Sequence, residues 1–155
     1  MLGEEWSFPD FEARGKRGRR AQYNNVDYDS AIRIPKGERR SVIAHEIGHH
    51  LEEHSAFLRE AQQEFFDART SGLDVERLRD ITGDSGYGRQ EVAIEDDFTN
   101  PYMGRIYGQR GQQKAFEILT MGLEQMYKDP VAFADEDPQM FDFIYGAIRR
   151  RKIGY

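Results

Sequence analysis

The chain has 155 residues, which is the size of one domain with a single core. Its net charge of −6 argues against nucleic acid or an anionic membrane surface as the main partner. It has no cysteine, which excludes disulfides and thiolate metal ligands. We recognise no signal peptide and no run of the about 20 apolar residues that a membrane-spanning helix needs.

The first predicted segment, residues 1–22, is rich in glycine and in basic residues. The basic cluster consists of Arg14, Lys16, Arg17, Arg19 and Arg20. We interpret the segment as a flexible basic arm or linker with solvated charges, because the acidic total disfavours a nucleic-acid site. Residues 23–155 then form one domain.

The domain opens with a β-prone stretch over residues 26–34, which Pro35 stops. We predict a short edge strand there, beside the helix that follows. Such a strand offers its backbone to an extended peptide by strand addition at a sheet edge.

The next predicted element is a helix over about residues 37–55 that contains His45-Glu46-Ile47-Gly48-His49. This run fits the H-E-x-x-H pattern of zinc peptidases. Histidines four apart project from one helix face and can bind one cation, which leaves Glu46 free to act as general base on a water activated by the metal. The motif predicts His45 and His49 as metal ligands, Glu46 as a catalytic residue and Zn²⁺ as the cofactor. The competing interpretation is a surface helix that carries its histidines by chance.

Gly48 lies inside this helix despite a cost of about 1 kcal/mol relative to alanine. The natural reason is the close approach of another backbone, or of substrate, beside the metal. His50 and His54 also stand four apart, but the residue directly after His50 is Leu51, so the catalytic pattern is not repeated. We interpret these two as lying behind the ligands or facing solvent.

Further helices are predicted at residues 56–70 and, shorter, at 73–81 before Gly83. Glycine, tyrosine and acidic residues then indicate loops and a hairpin that form a cleft wall or lid. Short strands are expected at residues 92–94 and 105–107.

Helix returns at residue 112 or 113 and continues to 128. Asp129-Pro130 and Asp137-Pro138 are each typical of an N-cap followed by the first residue of a closing helix. The predicted fold is therefore α+β and mainly helical, with a small edge sheet or hairpin beside the motif helix.

A catalytic zinc site needs a third protein ligand. Glu117 is the best candidate, because it stands in an apolar run where an unpaired carboxylate costs several kcal/mol, a cost that metal binding removes. From spacing alone, a partly exposed Glu117 that faces solvent is an equal alternative. Asp97, in an acidic run, is the main rival as a ligand or as an orienting partner of a histidine.

The run EILTMGLE at residues 117–124, with the two Asp-Pro pairs and the residues up to 144, resembles the C-terminal end of zincin domains of phage and prophage head-morphogenesis proteins and related toxins. It is similar, more distantly, to the catalytic domain of anthrax lethal factor. The resemblance covers roughly residues 26–148. It implies the gluzincin arrangement, with His45, His49 and Glu117 as ligands and Glu46 as base. The chain differs from lethal factor at residues 120–122.

The resemblance also suggests a tyrosine from the region before Glu117 as a donor to the oxyanion of the tetrahedral intermediate. Tyr107 is the first choice and Tyr102 the rival, and a packed side chain without a catalytic task is as good an interpretation of either.

Together these features predict a zinc-dependent metallopeptidase for peptide or protein substrates. Other phage head proteins are further candidate partners, and the expected location is the bacterial cytoplasm or the phage virion. The alternatives are a catalytically silent virion module that keeps the zincin fold, a toxin-like protease for one host protein, and an amidase for a non-peptide or peptidoglycan bond.

Overall fold

The computed structural model describes residues 10–12, 22–26, 29–34, 39–109 and 111–149. The helices are α1 (Arg40–His54), α2 (Ala56–Arg69), α3 (Leu78–Thr82), α4 (Ile118–Lys128), α5 (Pro130–Glu136) and α6 (Pro138–Ile148), with a 3₁₀-helix at Pro101–Gly104. The strands are β1 (Asp10–Glu12), β2 (Gln22–Val26), β3 (Asp29–Arg33), β4 (Val75–Arg77), β5 (Val92–Ile94), β6 (Gly108–Gln109) and β7 (Gln112–Gln113). The predicted mainly helical α+β class is confirmed.

A three-stranded sheet in the order β1-β3-β2 lies beside the motif helix α1. Strands β2 and β3 are antiparallel, and β1 pairs with β3 in parallel, so the strand in the stretch 26–34 is central and the prediction of an edge strand there is wrong. Ile32 of β3 is fully buried. Strand β1 comes from inside the predicted arm, and β2 begins at Gln22, so the boundary expected after residue 22 cuts through this sheet. The rest of the predicted arm lies outside the described residues.

Helices α1 and α2 meet at a single residue, Ser55. Its hydroxyl accepts the N–H of Leu58 at 3.3 Å, which caps α2. The guanidinium of Arg59 donates to the carbonyls of Glu52 and Glu53 at 2.8 and 2.6 Å, which satisfies two of the free carbonyl groups at the end of α1. These caps explain why the boundary between the two helices lies where the sequence indicated.

Two predictions between residues 70 and 110 are wrong. The helix expected at 73–81 is strand β4 followed by the short α3, because Val75 pairs with Ile94 of β5. The strand expected at 105–107 is reduced to one bridge between Arg105 and Ala93. Gly104 lies against the carbonyl of Ile94, so the 3₁₀-helix packs directly on β5.

The hydrophobic core takes side chains from α2, β5, the 3₁₀-helix, α4, α5 and α6. Phe65 of α2 stacks on Phe143 of α6, with ring centroids 4.4 Å apart. Both N-cap predictions are confirmed: Asp129 caps α5, and the buried Asp137 caps α6 while Arg69 of α2 donates to its two carboxylate oxygens at 2.8 Å. Within the described part of the chain, no helix is long and apolar enough to cross a bilayer.

Candidate metal centre

Helices α1 and α4 touch at Gly48 and Thr120. A β-carbon on Gly48 would lie 2.7 Å from the Cα atom of Thr120, closer than real contacts allow. The prediction that another backbone approaches Gly48 is confirmed. This contact brings the residue one turn before Thr120, which is Glu117, towards the motif.

Glu117 is the N-cap residue of α4, so the prediction of a helix from residue 112 or 113 is wrong. Side chains from two other helices take the N–H groups around it. The N–H of Phe116 donates to Glu52 at 2.9 Å, and that of Leu119 donates to Gln62 at 3.0 Å. Because these N–H groups have no partner within a helix, the two acceptors fix where α4 begins and hold Glu117 in place.

The three predicted ligands lie together. His45, His49 and Glu117 each offer one ligand atom, and these atoms lie within 4.8 Å of one another. The Nε2 atom of His45 is 3.6 Å from Oε2 of Glu117. Around a tetrahedral zinc with bonds of about 2.0–2.2 Å, ligand atoms stand about 3.3–3.6 Å apart. The donor set and its spacing therefore fit zinc after small movements.

The alternatives for the third ligand are resolved in part by burial. Glu117 is only 4% exposed, so the alternative in which it faces solvent is wrong. Asp97 is exposed and does not belong to the group of three. Its neighbour Asp96 pairs with Arg69 at 2.6 Å, which accounts for that part of the acidic run.

Glu124, a residue to which the sequence assigned no role, faces the first histidine. Its Oε2 atom is 3.6 Å from Nδ1 of His45, and its Oε1 atom accepts from Ser41 at 3.2 Å and pairs with Lys128 at 2.6 Å. The interaction with His45, aided by Lys128 and opposed by partial burial, lowers the pKa of Glu124 to about 2. The sequence does contain a signal that could have identified Glu124. It lies two helical turns after Glu117, which puts both carboxylates on one face of α4.

Glu52, which lies in α1, faces the second histidine as Glu124 faces the first. Its buried carboxylate lies 3.9 Å from Nδ1 of His49. Burial acts to lower the pKa of His49, but the carboxylate of Glu52 and the charges of Glu117 and Glu46 outweigh it and raise that pKa above its ordinary value. A carboxylate near Nδ1 of each imidazole, at 3.6 Å for His45 and 3.9 Å for His49, leaves Nε2 for a metal and could orient the ring after a small approach.

The predicted base, Glu46, is buried in α1, with 6% of its surface exposed. Its charge contributes to raising the pKa of His49, so the carboxylate lies within electrostatic reach of the ligand group.

Both candidate tyrosines lie at the site. The hydroxyl of Tyr107 donates to Oε1 of Glu117 at 2.5 Å, and the hydroxyl of Tyr102 is 3.1 Å from that of Tyr107. Burial, followed by the hydrogen bond to Glu117, raises the pKa of Tyr107 far above its ordinary value of 10. Tyr107 is therefore a protonated donor whose single proton is directed at Glu117.

The other two histidines stay outside the ligand group. His54 is exposed, and its Nδ1 atom is 2.9 Å from the carbonyl oxygen of His50. His50 is buried, and its ring lies 4.3 Å from that of His54.

A cleft of about 460 Å³ opens beside His49. Its lining includes Glu52, Glu53, Arg59, Lys114 and Ala115. The site is therefore accessible from solvent on the side of the second histidine.

No family model, curated protein or solved structure matched the chain. A function has therefore to be argued from the residues of the site and their geometry.

Proposed function

We propose that the chain is a zinc-dependent metallopeptidase. The observation that carries this proposal is the convergence of His45, His49 and Glu117 within 4.8 Å, with the buried Glu46 directly after the first histidine. Two imidazole nitrogens and one carboxylate oxygen are ligands that catalytic zinc prefers, and three protein ligands leave a fourth position for water. A purely structural zinc site has four protein ligands and no use for Glu46.

Zinc in this site would act as a Lewis acid that lowers the pKa of a water to about 7 and polarises the scissile carbonyl. Glu46 would be the group that accepts a proton from that water and returns it to the leaving amine. Glu124 and Glu52 keep the two imidazoles oriented through Nδ1. Tyr107 donates to Glu117 and would have to exchange that partner before it could donate to an oxyanion.

The biological setting is part of the proposal. A peptide or protein substrate, an association with phage or prophage head proteins, and a location in the bacterial cytoplasm or the virion are supported by the sequence resemblance alone.

The metal assignment is tested by the zinc content of the purified full chain. We expect about one zinc per chain in the wild type, as one three-ligand site requires. Glu117→Ala should lose it, and Asp97→Ala, which removes an exposed carboxylate outside the group, should keep it. A wild-type chain that binds no zinc even when zinc is supplied would overturn the proposal.

The catalytic assignment is tested by hydrolysis of a fluorogenic peptide library by the zinc-loaded chain. Glu46→Gln should lower the rate by about 10²–10⁴-fold, the usual contribution of a general base, while zinc stays bound. Glu60→Gln is the matched control, because it changes an exposed glutamate of α2 that does not line the cleft. Full activity of Glu46→Gln would exclude this residue as the base. A zinc-loaded wild type that cleaves no peptide would favour the silent structural module instead.

A further inference from the structure

The hydroxyl groups next to Glu117 form a chain of hydrogen bonds that can run in only one direction. An ionised carboxylate only accepts and a guanidinium only donates. Arg105 donates to the hydroxyl of Tyr102. The hydroxyl of Tyr107 donates its single proton to Oε1 of Glu117 at 2.5 Å. Across the 3.1 Å between the two hydroxyls, Tyr102 must therefore be the donor.

We infer that Tyr107 is a positioning residue for the third metal ligand, and that Tyr102 and Arg105 hold it in that role. The inference rests on the proposed function, because the role is defined by the metal that Glu117 would bind. Charge-assisted O–H···O⁻ bonds of about 2.5–2.7 Å are short and strong, and the bond from Tyr107 to Glu117 falls at the short end of this range.

The second oxygen of Glu117 is the one presented to the metal. The hydroxyl of Thr120 lies 3.0 Å from Oε2 and also 3.0 Å from the backbone carbonyl oxygen of Glu117, so it can donate to either, and Oε2 is 3.6 Å from Nε2 of His45. With Tyr107 on Oε1 and Thr120 on Oε2, the carboxylate has little freedom to rotate. The chain of donors thus selects which oxygen faces the histidines.

Arg105, at the far end of this series of hydrogen bonds from Glu117, is itself held by several contacts. The guanidinium of Arg105 pairs with Glu91 at 2.9 Å and lies over the rings of Tyr107 and Tyr102, at 4.4 and 5.0 Å from their centroids. These contacts hold both rings while the hydroxyls make the hydrogen bonds. The array therefore links the loop before β5 to the start of α4.

The positioning role and the predicted oxyanion role compete for one proton. While the hydroxyl of Tyr107 donates to Glu117, it has no proton for an oxyanion. A positioning residue affects metal affinity when it is removed, whereas an oxyanion donor affects kcat and leaves metal affinity unchanged.

The test is zinc affinity of the full chain, measured by competition with a chromophoric chelator. Tyr107→Phe should weaken zinc binding by about 10–100-fold, and Tyr102→Phe should weaken it by less, because its effect passes through Tyr107. The matched control is Tyr127→Phe, which removes a hydroxyl from an exposed residue near the end of α4. The visible spectrum of the cobalt-substituted protein should change in Tyr107→Phe and stay unchanged in the control.

Melting temperatures of the chelated proteins show whether a substitution also disturbs packing. This distinguishes a packing defect from the loss of the positioning role. Tyr107→Phe with wild-type zinc affinity and an unchanged cobalt spectrum would overturn the inference, whatever its stability or its activity. If Tyr107→Phe does not fold, Tyr102→Phe decides by the same criteria. A wild-type chain that binds no zinc refutes the proposed function itself, and this is measured before any variant.

Discussion

Two carboxylates, those of Glu52 and Glu124, face the candidate ligands. They differ in the other contacts that they make. Glu52 faces His49 and also accepts the N–H of Phe116 at the start of α4, so its removal would disturb a helix as well as a ligand. Glu124 faces His45 from the side of α4, and its other contacts are with Ser41 and Lys128. Glu124 is therefore the cleaner probe of how an outer carboxylate affects the metal.

We expect Glu124→Gln to weaken zinc binding by about 10–100-fold, because the amide no longer holds the imidazole of His45 with a charged acceptor. The melting temperature of the chelated protein should also fall somewhat, because the ionised carboxylate pairs with Lys128 and its lowered pKa means that its charge stabilises the fold. Chelator competition measures the affinity, with Glu60→Gln on the exposed face of α2 as the control. Equal affinity in Glu124→Gln and wild type would show that His45 does not depend on this carboxylate.

Single residues were predictable from the sequence where their spacing along one helix carries the chemistry. His45, Glu46 and His49 are of this kind, because one helical turn fixes their relative positions. Glu117 needed the argument from burial together with the resemblance. The roles of Glu124 and Glu52 depend on how α1, α4 and the segment before α4 meet in space, which no local pattern encodes.

At the scale of elements, the start of α4 shows why helix boundaries were harder to predict than helices. The helix was expected from residue 112 or 113, ahead of an apolar periodicity that begins at Phe116, but strands β6 and β7 pair around Gly111, which has a φ of 78° that favours glycine. The N–H groups near the helix start then bind side chains of Glu52 and Gln62. These tertiary partners move the helix start to Ile118 and leave Glu117 at the N-cap.

The contact between α1 and α4 leads to a prediction for Gly48→Ala. The added methyl group would meet the backbone of Thr120 at 2.7 Å, and backbone atoms cannot move aside as a side-chain end can. We expect a loss of about 1–3 kcal/mol in the free energy of unfolding, typical of overpacking, although alanine favours a helix by about 1 kcal/mol. Denaturant unfolding of the chelated protein measures this, and zinc affinity should fall as well because α4 carries Glu117.

A double variant tests whether the clash is with the backbone. Thr120→Ser removes the methyl group that would lie 3.0 Å from the new β-carbon but keeps the hydroxyl that donates to Glu117. Adding Thr120→Ser to Gly48→Ala should therefore restore little stability. Full recovery would mean that the side chain, and not the backbone, sets the distance between the helices.

At the scale of the whole molecule, the class of fold was predictable and the sheet topology was not. The two closing helices were predictable from Asp129-Pro130 and Asp137-Pro138, because an N-cap is formed by residues adjacent in sequence. The parallel pairing of β1 with β3 joins segments that are distant in sequence, so no periodicity indicates it. The same limit applies to Arg69, which links α2, through Asp96 and Asp137, to the loop after β5 and to α6.

The contacts of Arg69 and of the core determine how we expect the fold to respond when the metal is removed. The core and the buried Arg69 network hold α2, α5 and α6 together without using a ligand residue, whereas the candidate metal centre joins α1 to α4. We therefore expect the chelated protein to keep its helical circular dichroism and to unfold cooperatively at a lower temperature.

The size of the shift follows from mass action. Zinc at 100 times its Kd stabilises the folded state by about 2.7 kcal/mol, which corresponds to about 5–10 °C for a domain of this length. Thermal unfolding with zinc and with EDTA should show this difference in the wild type and not in Glu117→Ala, while Asp97→Ala should behave like the wild type. An equal shift in Glu117→Ala would place the stabilising zinc elsewhere, and loss of the helical signal on chelation would mean that the metal is needed for the fold itself.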